Sequence, residues 1–248
     1  MSTISPSPAL DRGRTTSLMQ DPVFVKDAFA KIAGRYILTN HVLSLGMDIL
    51  WRRRVARLVA GLQPRRLLDL ATGTGDLAEA ISAAVGPGCA ITGADFSAPM
   101  LEVARARSFA ADWMVADALD LPFADGHFDV VTVAFGLRNM ADWPAAIREM
   151  ARVTRPGGQL VVLDFSLPTL PGLREAYRFY LHRVLPRLAG LLTGQRAAYE
   201  YLSGTIERFP SGAAMGELLT AHGFARAEAI PLSGGIASIY VATKAAAD

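Results

Sequence analysis

The segment Asp69-Leu-Ala-Thr-Gly-Thr-Gly-Asp76 joins a short apolar run to a helical stretch, and its residue types suit a ligand loop. Glycines at 73 and 75 let backbone come close to a ligand, and the N-terminus of the following helix offers free N–H groups. A dinucleotide reader would carry Gly-x-Gly-x-x-Gly here, whereas this loop continues Asp76, Leu77, Ala78 after Gly75. A carboxylate at that point is a poor neighbour for pyrophosphate and suits a cationic or amino-acid ligand better. Asp95 lies 20 residues past Gly75, at the end of the next apolar run, where a carboxylate can accept both ribose hydroxyls. Asp117 follows the run after that and can accept from an adenine amino group. Gly-x-Gly alone is a weak signal. Three acids at the ends of three successive runs describe a site for a ribose, an adenine and a positive charge, without phosphate.

The elements that must hold these residues alternate. Apolar runs at Leu67–Ala71, Cys89–Ala94, Trp113–Val115, Phe128–Phe135 and Leu160–Phe165 read as strands. Between them Leu77–Val85, Ser97–Arg107 and Trp143–Thr154 carry helical patterning. Near-continuous apolar strands separated by helices predict a parallel sheet covered on both faces. Right-handed crossovers then bring the loops after each strand to one edge, where ligands bind in open α/β sheets. Before this core, residues 21–62 read as a helical cap; after it, 168–224 read as a helical insertion, bent at Pro186. Arg226–Leu232 and Ile236–Thr243 read as a hairpin joined at Ser233-Gly234-Gly235. The expected division is a disordered tail over 1–20 and a single domain over 21–244, with the cofactor core at 64–166 and the hairpin at 225–244.

Composition bounds the function classes. The chain has 248 residues, 51% hydrophobic, with 25 basic and 23 acidic side chains, so a wholly disordered chain is excluded. A net charge of +2 argues against a nucleic-acid wrapper. No run approaches the ~18 apolar residues of a membrane span. One cysteine, Cys89, excludes an internal disulfide and a thiolate zinc cluster, and its flanks suggest a core strand position. With no signal-peptide core in residues 1–20, the expectation is a cytoplasmic protein.

The acid-crowned loops over Leu67–Phe165 resemble the S-adenosylmethionine-dependent methyltransferases of the Rossmann-like class. Further blocks narrow the resemblance: Phe135-Gly-Leu-Arg-Asn139, Arg152-Val-Thr-Arg-Pro-Gly-Gly158, Leu163-Asp-Phe-Ser166, Tyr36…Asn40…Ser44…Trp51, Ala176-Tyr177 and Val184-Leu-Pro-Arg187. Together these are similar, from about Val23 to Lys244, to the ubiquinone/menaquinone-pathway C-methyltransferases (the demethylmenaquinone and polyprenyl-benzoquinol methylase family). Departures stand at Ile37, Thr39, Asp48 and Asp164, where the family usually has Asp, Met, His and Glu. The resemblance implies an α/β class I methyltransferase fold: a mostly parallel seven-stranded sheet with an antiparallel C-terminal edge hairpin and an N-terminal helical cap. It implies S-adenosylmethionine as methyl donor, no metal, and a membrane-resident polyprenyl quinol as acceptor. The head group is expected to be demethylmenaquinol; the benzoquinol of ubiquinone synthesis and another small-molecule acceptor stay open. A non-enzymatic scaffold and a dinucleotide oxidoreductase are the remaining rivals.

On this reading Asp69, Gly73, Thr74, Gly75, Asp95, Asp117 and Ala118 form the cofactor site. A ring carbon becomes nucleophilic when a quinol loses a phenolic proton, so the protein must stabilise a phenolate and help the proton leave. Arg138 and Asn139 are the catalytic candidates, Arg138 as a cation for the oxyanion and Asn139 as an orienting group; the alternative is that Arg138 pairs with an acid such as Asp142. Tyr36, Asn40, Tyr177 and Tyr180 are substrate candidates, although ordinary core packing also explains the tyrosines. His41 and His182 are weaker candidate bases, and His127 and His222 read as surface or helix-end residues. Arg52, Arg53, Arg54 and Arg57 beside Trp51 read as a solvated face, with peripheral attraction to anionic lipid as the functional option. Pairing of two subunits through the hairpin is open.

Overall fold

A computed structural model describes residues 46–187 and 203–247. The readings for the tail at 1–20, for the cap as far as residue 45, and for Tyr36, Ile37, Thr39, Asn40, His41 and Ser44 lie outside the described residues. So does the part of the helical insertion at 188–202.

Seven strands are observed: β1 (Arg66–Leu70), β2 (Ala90–Asp95), β3 (Asp112–Val115), β4 (Phe128–Ala134), β5 (Thr154–Phe165), β6 (Arg226–Leu232) and β7 (Ala237–Thr243). They form one sheet in the order β3-β2-β1-β4-β5-β7-β6. β1 pairs in parallel with both β2 and β4, so the winding direction reverses between β1 and β4. That reversal opens a crevice at the carboxyl ends of the strands. β7 runs antiparallel to β5 and to β6. The expected hairpin is present, with its second strand inside the sheet and its first at the edge. That edge carries Arg226, Glu228 and Pro231, residue types that discourage another strand from pairing there.

The strands build the core because neighbouring residues point to opposite faces. Leu67, Ile91, Val130 and Val161 pack on one face against Trp51, Val55, Val59 and Ile81. These come from α1 (Met47–Gly61) and α2 (Asp76–Val85). Leu68, Val131 and Val162 pack on the other face against Ile147, Met150 and Leu219. These lie on α4 (Trp143–Val153) and α6 (Ala213–Ala221); α3 (Ala98–Arg105) and α5 (Pro171–Phe179) are two further helices. Each such side chain contributes roughly 1.5–3 kcal/mol by leaving water. In α1 the four-residue spacing of Trp51, Val55 and Val59 gives the buried stripe, and the Trp51 indole donates to Ser233 Oγ at 3.0 Å, tying the helix to the β6–β7 turn.

Three boundaries differ from the sequence reading. β5 begins at Thr154, and Pro156-Gly157-Gly158 forms an irregularity within the strand, where its register against β4 shifts. The helix after β5 widens into a π-turn at Tyr180–Val184, ahead of Pro186, with the Leu185 N–H reaching back to the Tyr180 carbonyl. A wider turn upstream spares the backbone the clash that a proline ring makes with the carbonyl four residues earlier. Cys89 lies just before β2 and is only partly buried, so it does not fill the strand core.

Candidate active site

Two residues in left-handed backbone mark the crevice. Ala71 follows β1 with φ 52° and Phe135 follows β4 with φ 57°, a conformation that costs energy without glycine and turns both chains sharply at the same edge. The two turns touch. A Cβ placed on Gly136 would sit 2.5 Å from the Ala71 Cβ, so only glycine lets the β4 loop lie against the β1 loop.

The glycine loop after β1 is internally bonded. The Gly73 N–H donates to Asp95 Oδ2 at 2.8 Å, and the Gly75 N–H donates to the Thr72 carbonyl at 2.9 Å. Gly75 itself needs the absence of a side chain, with φ 81° and the Trp113 ring 2.8 Å from a Cβ placed there. Two of the backbone donors that a pyrophosphate would draw on are therefore already bonded within the protein, which favours a phosphate-free ligand.

Asp95 and Asp117 line one crevice with Asp69, Gly73, Thr74 and Ala118. Gly75 is not among the lining residues; it shapes the turn. Asp95 Oδ1 accepts from the Ser97 N–H at 2.9 Å, so each of its oxygens holds one backbone donor and keeps acceptor capacity. Burial raises the Asp95 pKa, and those two N–H groups oppose the rise. Asp69 is more deeply buried, accepts from Thr72 Oγ1 at 2.6 Å and Thr132 Oγ1 at 2.7 Å, and is raised by burial to about 6. Asp117 is exposed and accepts from the Leu119 N–H at 2.9 Å. Asp76 also lines the crevice, but Arg107 bonds it at 2.6 Å and offsets its charge, so it is less available to a cation than the sequence suggests. Phe96, Met100, Ala116 and Leu119 give an apolar wall beside Asp95 and Asp117, suited to a flat heterocycle.

Asn139 lines the crevice and donates from Nδ2 to the Phe135 carbonyl at 3.2 Å. Arg138 does not line it. Its Nη1 donates to the same Phe135 carbonyl at 2.8 Å and to Asp164 Oδ1 at 2.6 Å. The partner is Asp164 on β5 and not Asp142, whose carboxylate instead caps α4 by accepting from the Ala145 N–H. Tyr177 and Tyr180 stack with centroids 6.4 Å apart, outside the crevice lining. Tyr177 is buried in the core with Trp51, Phe135 and Phe165, and burial pushes its phenol well above the usual range.

Among the described residues, His127, His182 and His222 do not enter the crevice lining. His182 meets Glu207 at 3.1 Å beside Arg178, His127 stacks on Phe123 and packs against Phe128, and His222 Nδ1 lies 2.8 Å from the Leu218 carbonyl. His127 is thus half-buried, where the sequence suggested an exposed turn.

Sequence reasoning missed Arg52, Phe96, Met100, Leu119 and Met140, all of which line the crevice. By sequence Arg52 reads with its neighbours as part of a solvated face. Arg53, Arg54 and Arg57 are indeed exposed, but Arg52 is buried, ion-paired to Asp48, with its guanidinium 5.4 Å from the Phe135 ring centre. The buried stripe through Trp51 and Val55 was the available signal, because Arg52 and Asp48 flank it one helical turn apart. Among the described residues no group of three or more His, Cys, Asp or Glu could hold a metal ion, and no helix is long and apolar enough to cross a membrane.

The sequence model of the ubiE/COQ5 methyltransferase family matches residues 16–244. The chain belongs to that family. A demethylmenaquinone methyltransferase of Thermus thermophilus is 47% identical to this family member over 217 residues, 86% of this chain and 98% of the relative. The Bdellovibrio bacteriovorus protein named ubiquinone/menaquinone biosynthesis C-methyltransferase UbiE is 40% identical over 228 residues, 90% of this chain and 97% of the relative. A solved SAM-dependent methyltransferase from Thermotoga maritima superposes with a TM-score of 0.63 at 19% identity, over 89% of this chain and 99% of that one. At such identity the likeness establishes the fold, a Rossmann-like methyltransferase sheet. The ubiE/COQ5 family member described here is a methyltransferase with S-adenosylmethionine as its methyl donor.

Proposed function

We propose that this methyltransferase moves a methyl group from S-adenosylmethionine to a ring carbon of a polyprenyl quinol, with demethylmenaquinol as the acceptor. The observation that carries the reading is the crevice in which Asp69, Asp95 and Asp117 converge around a loop whose glycine N–H groups are already bonded. The family and the Thermus relative's name supply the acceptor class. The Bdellovibrio relative's name spans both quinones, and on that ground the benzoquinol head group is the second reading.

The bound donor supplies an electrophilic methyl group on a sulfonium. Asp95 is suited to accept from the ribose hydroxyls, Asp117 and Ala118 to meet the adenine edge, and Phe96 and Met100 to pack on its ring. Gly73, Thr74 and Asp69 flank the amino-acid end. The acceptor must be the reduced quinol, because an oxidised quinone is itself an electrophile. Loss of a phenolic proton loads electron density onto the adjacent ring carbon, which forms the new C–C bond while the S–C bond breaks. The ring proton then departs and aromaticity returns. Asn139, on the crevice wall, orients a quinol oxygen. Arg138 acts one step back as a positioning residue, holding the Phe135–Asn139 turn through the Phe135 carbonyl and Asp164. Tyr36 and Asn40 are the remaining substrate-side assignments in this reading, while Tyr177 and Tyr180, which lie outside the crevice lining, back the Phe135 turn as packing.

A long-tailed quinol resides in a membrane, and the exposed Arg53, Arg54 and Arg57 of α1 support peripheral docking to anionic headgroups. The test of the acceptor is incubation with radiolabelled S-adenosylmethionine and lipid extract under reducing conditions. Labelled menaquinol supports the reading, labelled ubiquinone precursor selects the second, and a labelled product of another class overturns both.

A further inference from the structure

We infer that Arg52 is the receptor for the carboxylate of the methyl donor's amino-acid moiety, held in place by Asp48. The crevice is lined by Asp69, Asp76, Asp95 and Asp117, and among the described residues Arg52 is the one lysine or arginine in its lining. S-adenosylmethionine has an ammonium group, a sulfonium and two ribose hydroxyls, all of which suit carboxylates. It also has one carboxylate, which an acid-lined crevice would repel. That charge needs a cation, and the described lining supplies Arg52.

The geometry fits a built site. Arg52 is only 9% exposed, so its charge is taken out of bulk water and its interactions are little screened. Among the described residues its hydrogen bond goes from Nη1 to Asp48, leaving the rest of a five-donor fork. Asp48 lies one helical turn before it, 1% exposed, and fixes the fork where a flexible side chain would otherwise wander. The guanidinium stands over the Phe135 ring, at the turn that follows β4. It is also close enough to Asp69 to favour the charged form of that carboxylate. Asp69 and Arg52 thus make a pair of opposite charges on one side of the crevice, the pattern that an α-amino acid zwitterion requires. Arg52 is a binding residue on this account, and Asp48 is a positioning residue.

The inference rests on donor binding, and the test separates the two. Calorimetry is run on the wild type, R52Q and D48N with two ligands: S-adenosylhomocysteine and 5′-deoxy-5′-(3-aminopropylthio)adenosine, which differs from it by the missing carboxylate. The wild type should prefer S-adenosylhomocysteine by roughly ten- to a hundred-fold, the range of a hydrogen bond to a charged group. R52Q should erase that preference by weakening S-adenosylhomocysteine while leaving the amine ligand nearly unchanged; D48N should reduce it, and R52K should keep part of it. A preference that survives in R52Q, or equal loss of both ligands, overturns the assignment alone. A wild type that binds neither ligand overturns the reading of the crevice and this assignment with it.

Discussion

Arg138 donates to the Asp164 carboxylate at 2.6 Å, and the two side chains are 3% and 0% exposed. An ion pair this deep stabilises only while both partners are present, since a lone buried charge is costly. Asp164 is pushed toward the neutral form by burial and held back chiefly by the Arg138 charge. The pair also fixes the Phe135 carbonyl, to which Asn139 donates.

Arg138→Ala should therefore lower unfolding stability by about 3–5 kcal/mol in a denaturant titration. The double replacement Arg138→Met with Asp164→Leu should recover most of that loss, because neither charge is left alone. Methyl transfer should stay down by roughly a hundredfold in the double variant, the scale of a misplaced reacting group. Wild-type turnover in the double variant would show that the pair serves stability only.

Asp69 carries a pH signature. Its folded-state pKa of about 6 lies above the ordinary carboxylate value, so the fold favours its protonated form. Its contribution to stability is complete below the unfolded pKa near 4 and is lost as pH rises to about 6. Asp69→Asn removes that loss. The variant should gain stability over the wild type between pH 4 and 7, by at most about 3 kcal/mol, while losing affinity for S-adenosylhomocysteine. A difference in unfolding free energy that stays flat across this range would contradict the assignment.

Asp95 joins the glycine loop to the ribose site. Asp95→Ala frees the Gly73 and Ser97 N–H groups and removes the proposed ribose acceptor together. S-adenosylhomocysteine affinity should fall by roughly a hundredfold, the cost of two charge-assisted hydrogen bonds. Calorimetry reads the loss directly, and an unchanged affinity would remove Asp95 from the site.

Gly136 and Ala71 test the contact between the two strand-end turns. Gly136→Ala brings two Cβ atoms to 2.5 Å and should cost about 1–3 kcal/mol, with weaker donor binding. Adding Ala71→Gly removes the opposing Cβ and suits the left-handed backbone at that position, so the double variant should regain stability. Failure of the second change to rescue the first would mean that the turns meet differently.

The parallel core was legible because strands buried on both faces leave continuous apolar runs, and because Asp95 and Asp117 stand where such runs stop. Asn139 follows the fourth apolar run, and the structure puts it in the crevice lining at that strand end. The direction of Arg138 was not legible, since its partner Asp164 lies 26 residues away and meets it only once β4 and β5 pair. Arg52 hid in a run of arginines whose helical phase separates it from Arg53, Arg54 and Arg57. Phe96 and Met140 carry no pattern of their own and join the site through the turns that follow β2 and β4. The start of β5 was obscured by Pro156-Gly157-Gly158, which reads as a loop until the bulge against β4 accommodates it.

The most direct test of the function is methyl transfer from labelled S-adenosylmethionine to demethylmenaquinone, run with and without a reductant that generates the quinol. Label should appear on the naphthol ring carbon only in the reduced reaction, at a rate that Asn139→Ala cuts sharply. Purified protein that binds S-adenosylhomocysteine yet labels neither this quinol nor the benzoquinol would contradict the proposed reaction.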